Sequence, residues 1–149
     1  MAYSKSKAKG SRAELLARDL LRSATGLKWE RTPLSGALHE SHKLSGDIYV
    51  PGEKNLYTIE VKHYADSHIN HLLINGVNHQ IEKWWDQTLR EAGENCNSPV
   101  LIIKHDRSKF YAVVEKSTLI PRLSVYRDDA SFDIIMLEDW LMEDRTYIK

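Results

Sequence analysis

The chain has 149 residues, 42% apolar and 28% charged, which is enough for one domain with a real core and too short to expect two. Its 21 basic and 21 acidic residues cancel, so overall charge announces no polyanion-binding surface. A single cysteine, Cys96, excludes an intrachain disulfide and Cys-rich zinc sites, and no apolar run approaches the roughly 20 residues that span a bilayer.

Charge is unevenly distributed. Lys5, Lys7, Lys9 and Arg12 stand in the first twelve residues without an acid, leaving four net negative charges on the rest. Residues 1–10 read as a basic flexible arm that contacts phosphates, or simply as a solvated tail, ahead of a folded domain over 11–149. The N-terminus lacks the apolar stretch of a secretory signal, so a cytoplasmic or nucleoid-facing protein is the default expectation.

In chain order, Ser11 with Glu14 three places on forms a capping-box pattern before Leu15, Leu16, Leu20 and Leu21. This predicts a helix over about 11–24 that ends at Thr25-Gly26. Lys28–Arg31 reads as a short strand, and 34–44, with Ser35-Gly36, as a loop. Asp47–Val50 and Tyr57–Lys62 form a hairpin around the turn-rich 51–55. Apolar residues at three- and four-residue steps from Ile69 to Leu89 predict an amphipathic helix, interrupted early by Asn75-Gly76. Strands follow at 100–103 and 110–114, then after Pro121 a strand near 132–136 and a short acidic helix around 138–142. The order predicts an α/β fold: a single domain with a central mixed β-sheet flanked by helices.

The hairpin carries the chemistry. With Val50 and Tyr57 as partners, paired residue numbers sum to 107 and Asp47 sits opposite Glu60. Side chains alternate along a strand, so Asp47, Glu60 and Lys62 share one face while Ile48, Val50, Tyr57, Ile59 and Val61 share the other. Two carboxylates and a lysine on one side of a sheet are what a Mg²⁺-dependent phosphodiester hydrolase needs: hard oxygen ligands, and an amine to orient or deprotonate water or to stabilise charge on phosphorus. The Val61 carbonyl lies between them as a further ligand. The plainer account is a solvent-facing sheet with cross-strand ion pairs.

These residues resemble the PD-(D/E)xK nuclease superfamily, whose restriction-endonuclease-like core runs α-β-β-β-α-β, with the aspartate opening the second strand and Glu-x-Lys on the third. Lys9-Gly10-Ser11-Arg12-Ala13-Glu14 is similar to the opening of archaeal-type Holliday junction resolvases. The resemblance covers about residues 9–115 and departs at Gly46, where proline usually precedes the aspartate. It implies Glu14 as a third carboxylate at the metal, a role that competes with helix capping. It implies Gln80 as a glutamine beside the site, Ser35 near the scissile phosphate, and Lys9, Arg12 and Arg31 as phosphate contacts.

Seven histidines, including His39/His42 and His68/His71 at three-residue spacing, lack partners for a four-ligand zinc site and read as surface residues, with His63, His68 and His71 close enough to meet DNA. Trp84-Trp85 reads as packing rather than a base-stacking platform. The function expected is a Mg²⁺-dependent (Mn²⁺ substituting), structure-selective DNA endonuclease, most like a Holliday junction resolvase. It would cut four-way junctions as a homodimer, with Trp84, Trp85 and the 100–114 strands supplying the interface, and its compactness suggests a phage enzyme. Alternatives are a restriction, nicking or repair endonuclease on the same core, or a catalytically silent DNA-binding module.

Overall fold

The computed structural model describes residues 2–33, 46–76, 80–115, 121–127 and 131–143, with side chains between residues 8 and 142 of these spans. Ser35, His39 and His42 lie outside them, as do the side chains of Lys5 and Lys7. The elements are α1 (Ala2–Thr25), β1 (Glu30–Arg31), β2 (Ile48–Tyr49), β3 (Tyr57–Tyr64), α2 (His71–Asn75), α3 (Gln80–Glu94), β4 (Ser98–His105), β5 (Tyr111–Val114), β6 (Leu123–Val125), β7 (Phe132–Met136) and α4 (Leu137–Glu143).

Helix α1 begins at Ala2, nine residues before the expected start. Alanine, lysine and serine all tolerate helix, and Gly10 costs only about 1 kcal/mol relative to alanine. Residues 2–10, expected as an arm, are therefore its first turns, and Ser11 is not an N-cap. The buried stripe also differs from the expected leucines. Ala13, Ala17 and Leu21 pack at four-residue steps on Ile59 and Val61, while Leu16 and Leu20 are 52% and 42% exposed. Alanine stubs let the helix approach β3 closely; larger side chains at those positions would hold it off. The helix stops as predicted: Gly26 turns left-handed (φ +73°) and its N–H donates to the Arg22 carbonyl at 2.9 Å.

The hairpin has the predicted register. Ile48 pairs with Ile59, which places Asp47 opposite Glu60. Asn55 closes the turn, accepting the Val50 N–H at 2.8 Å and donating to the Val50 carbonyl at 3.0 Å. The break at Asn75-Gly76 is present too: Asn70 caps α2 at its start, and Gly76 (φ +71°) ends it. Helix α3 then crosses back, making β4 parallel to β3 from Tyr57↔Ser98 to Tyr64↔His105. All other pairings are antiparallel, in the order β1-β2-β3-β4-β5-β7-β6.

The sheet separates two cores. On one face α1 and α4 cover Ile59, Val61, Val100 and Ile102; on the other, Ile81, Trp84 and Trp85 of α3 cover Leu101, Ile103 and Val113. Trp84, Trp85 and the 100–114 strands are thus interior. The expectation that they supply a dimer interface is corrected, since their apolar area is already used within the chain. Strand β6 is an addition to the expected elements after Pro121. It is held at the sheet edge by Arg122 N–H to the Ile134 carbonyl (2.8 Å) and Ser124 Oγ to Asp133 (2.8 Å). Among the described residues no helix is long and apolar enough to cross a membrane.

Candidate active site

Strand β2 leaves its ladder at Asp47, and this departure builds the site. The Asp47 N–H donates to the Ile59 carbonyl at 2.7 Å, its carbonyl accepts the Thr32 N–H at 2.9 Å, and its carboxylate accepts the Val61 N–H at 2.8 Å. The carboxylate therefore occupies the place of the next ladder acceptor. An extended residue directs its N–H and C=O to the same edge, so the Val61 carbonyl lies on the Asp47 side of β3.

Gly46 makes this possible. It sits at φ +79°, and a Cβ there would fall 2.5 Å from the Ile59 carbonyl oxygen. Proline, fixed near −65°, could not take this backbone, which accounts for the departure from the superfamily pattern. Gly46→Ala is expected to destabilise the fold by at least about 2 kcal/mol, combining a left-handed penalty with backbone overlap. Urea unfolding checks this; a loss under about 0.5 kcal/mol would contradict the geometry.

Four carboxylates interact in sequence: Glu14 with Asp47, Asp47 with Glu60, and Glu60 with Glu91, while Lys62 acts on Glu14 and Asp47. Glu60 is 5% exposed, and burial, a hydrogen bond with Glu91 and the nearby Asp47 charge push its pKa up to about 11. Burial also raises Asp47, against the Val61 N–H, the Glu60 hydrogen bond and Lys62. Glu14 is raised by burial and by Asp47, against Arg31 and Lys62. Arg31 Nε donates to Glu14 at 2.8 Å and its Nη2 reaches Ser11 Oγ at 3.4 Å. Glu14 thus faces the cluster rather than capping a helix, and Arg31 is its ion-pair partner.

The remaining expected residues are dispersed. Gln80 opens α3, eleven residues or about 16 Å along the axis from Glu91. The glutamine at the cluster is Gln87, which donates to Glu91 at 3.2 Å. The expectation for Gln80 is corrected: Gln87 stands two turns further along the same face of the helix. Lys9 pairs with Asp106 at 2.8 Å, Arg12 is exposed, and His63 turns to the opposite face of β3, where its Nε2 lies 2.9 Å from Asp106. Glu91 escapes a reading of the sequence because an acid on the polar face of a helix carries no signal of its own; its only trace is the Gln87/Glu91 spacing of four.

This assembly of Asp47 across from Glu60, with Lys62 two residues on, is the sheet-borne pattern that the sequence suggests. A family model described as "Phage putative PDDEXK endonuclease" matches residues 5–147. The chain belongs to that family. It is also 42% identical over 147 residues to Protein D14 of Escherichia phage T5, covering 91% of each chain. No solved structure matches it. PDDEXK membership makes nuclease activity the function of the chain at the coarse level, in a class that typically uses divalent metals. The phage relative agrees with the phage origin that the chain's compactness suggests.

Proposed function

We propose that the chain is a Mg²⁺-dependent DNA endonuclease, with Mn²⁺ as a substitute, whose substrate is the four-way junction. The observation that carries the catalytic part is the Asp47–Glu60 opposition with Lys62 on the same row, flanked by Glu14 from α1. The junction part is supported by the resolvase-like Lys9–Glu14 segment and by the small size of the fold.

The donor set fits a hard divalent ion. Asp47, Glu60 and the Val61 carbonyl supply oxygen on one edge of β3, and Glu14 adds a fourth. Among the described residues no three acidic, imidazole or thiol groups meet as a finished cage, so water and phosphate oxygens would complete the shell. Burial raises the pKa of both Asp47 and Glu60, the cost of charge that a bound divalent cation would offset. When bound, Mg²⁺ would neutralise these acids and polarise the phosphodiester.

The chain's own groups do the rest. Lys62 orients or deprotonates the attacking water and offsets charge growing on the phosphoryl oxygens. Arg31 holds Glu14 in place, and Gln87 steadies Glu91 against Glu60. In-line attack leaves 5′-phosphate and 3′-hydroxyl ends. A two-fold homodimer would present two such sites to the two equivalent strands of a junction.

The test is cleavage of a labelled four-way junction beside linear duplex, single strand and a Y-fork. Paired nicks in the junction alone are expected; equal cutting of every substrate would remove the junction reading and keep the nuclease. Replacing Lys5, Lys7 and Lys9 with alanine should weaken DNA binding and reduce the salt slope by about 0.9 for each phosphate that is no longer neutralised. An unchanged slope, measured by anisotropy across salt concentrations, would show that these lysines touch no phosphate.

A further inference from the structure

The row that bears Glu60 and Lys62 does not stop at the lysine. Tyr64, the last residue of β3, follows at the same two-residue period and so faces α3 with them. Its ring stacks on Trp84 with centroids 4.6 Å apart and planes 29° from parallel. His68 meets both rings edge-on, at 5.7 Å from Tyr64 and 5.2 Å from Trp84. The two stacked rings differ sharply in environment: Trp84 is 6% exposed and Tyr64 44%.

Tyr64 is therefore anchored from below and open to water elsewhere. Its backbone is fixed as well, because its carbonyl accepts the Asp106 N–H at 3.0 Å. A ring already immobilised loses little further entropy when a second ring settles on it. The cleft among Tyr64, His68, Trp84, Ile103 and Tyr111 has about 20 Å³ of room, roughly enough for a water, so a ligand would lie on the ring rather than below it.

Resting on the nuclease reading, we propose that Tyr64 is a nucleobase platform that specifies how DNA enters the site. Tyr64 stands two strand positions beyond Lys62, about 6.7 Å, which is the rise of roughly two stacked nucleotides. The base it accepts lies one or two nucleotides from the phosphate at Lys62. That base must leave its own stack to reach the ring. The platform thus favours DNA whose pairing is interrupted at the cut, as at a branch point. Trp84 is the buried support, and Tyr64 is the contact surface.

The test is an abasic scan. Fluorescein-labelled four-way junctions carrying one abasic position each, moved stepwise along a strand, are titrated with wild type, Tyr64→Phe and Tyr64→Leu in EDTA. Leucine keeps Trp84 covered without offering an aromatic face, and thermal unfolding of the same preparations verifies folding. One abasic position should cost wild type and Tyr64→Phe roughly 5- to 150-fold in affinity and cost Tyr64→Leu nothing further. If every abasic position costs wild type less than about 5-fold, or costs Tyr64→Leu just as much, the platform is overturned. Cleavage by the same wild-type protein in Mg²⁺ separates the two claims. An abasic-sensitive platform without cleavage removes the nuclease reading alone, whereas cleavage with no sensitive position removes the platform alone.

Discussion

Asp47→Asn and Lys62→Ala are each expected to lower phosphodiester cleavage by at least about 10²-fold, with DNA affinity equal or tighter in the asparagine variant and modestly weaker in the alanine variant, which loses a cation at the phosphate. The asparagine keeps an oxygen for the Val61 N–H, so the hairpin stays closed while the negative charge is removed. Its binding should not suffer, because a carboxylate facing a phosphate repels it in the absence of a cation. Lys62 belongs to the regular register of β3 against Ile103, so its removal leaves the ladder intact. Single-turnover cleavage and anisotropy on the same junction measure both quantities. Retained cleavage in either variant would place the chemistry elsewhere.

The second large effect concerns stability without metal. Glu60 is raised from 4.5 to about 11 in the fold, so between those values the folded chain keeps a proton that the unfolded chain has released. The unfolded state then binds fewer protons, and stability falls as pH rises, by up to about 1.4 kcal/mol per pH unit for one proton. Asp47 and Glu14 are raised as well and act in the same direction. In EDTA the melting temperature should therefore fall from pH 5 to pH 9. Glu60→Gln should flatten that fall and melt higher than wild type at pH 8, while its cleavage is expected to be lost. Mg²⁺ should restore the wild type at the same pH by binding only the folded state. A wild-type melting temperature in EDTA that is level or rising over this range would contradict the buried acid cluster.

The hairpin is readable because two local rules agree there. A turn of known length fixes register, and period-two alternation fixes which face each residue takes. That is why Ile48↔Ile59 emerges as expected and brings Asp47 to Glu60. The start of α1 is not readable. Ser11 and Glu14 imitate a cap, but the helix continues to Ala2, and Glu14 answers to Arg31 across a gap of seventeen residues. The leucines mislead for a related reason: hydrophobicity favours Leu16 and Leu20, yet close packing on β3 selects Ala13 and Ala17.

Long-range geometry also chooses among residues that the sequence leaves equivalent. Gln80 and Gln87 lie on one helical face, and only the docking of α3 against β3 decides which one reaches the carboxylates. Glu91 and Tyr64 are ordinary in sequence and become meaningful only beside Glu60 and Trp84. Gly46 is the converse case. A single unexpected glycine reads as a weakened motif, yet it permits the approach of Asp47 to β3.

The most direct test of this account is a time course of junction cleavage by the wild-type protein in Mg²⁺ and in EDTA, with the ends of the products analysed. Cutting is expected only with Mg²⁺, leaving 5′-phosphates and 3′-hydroxyls. Undiminished cutting in EDTA, or bound DNA left intact in Mg²⁺, would contradict it.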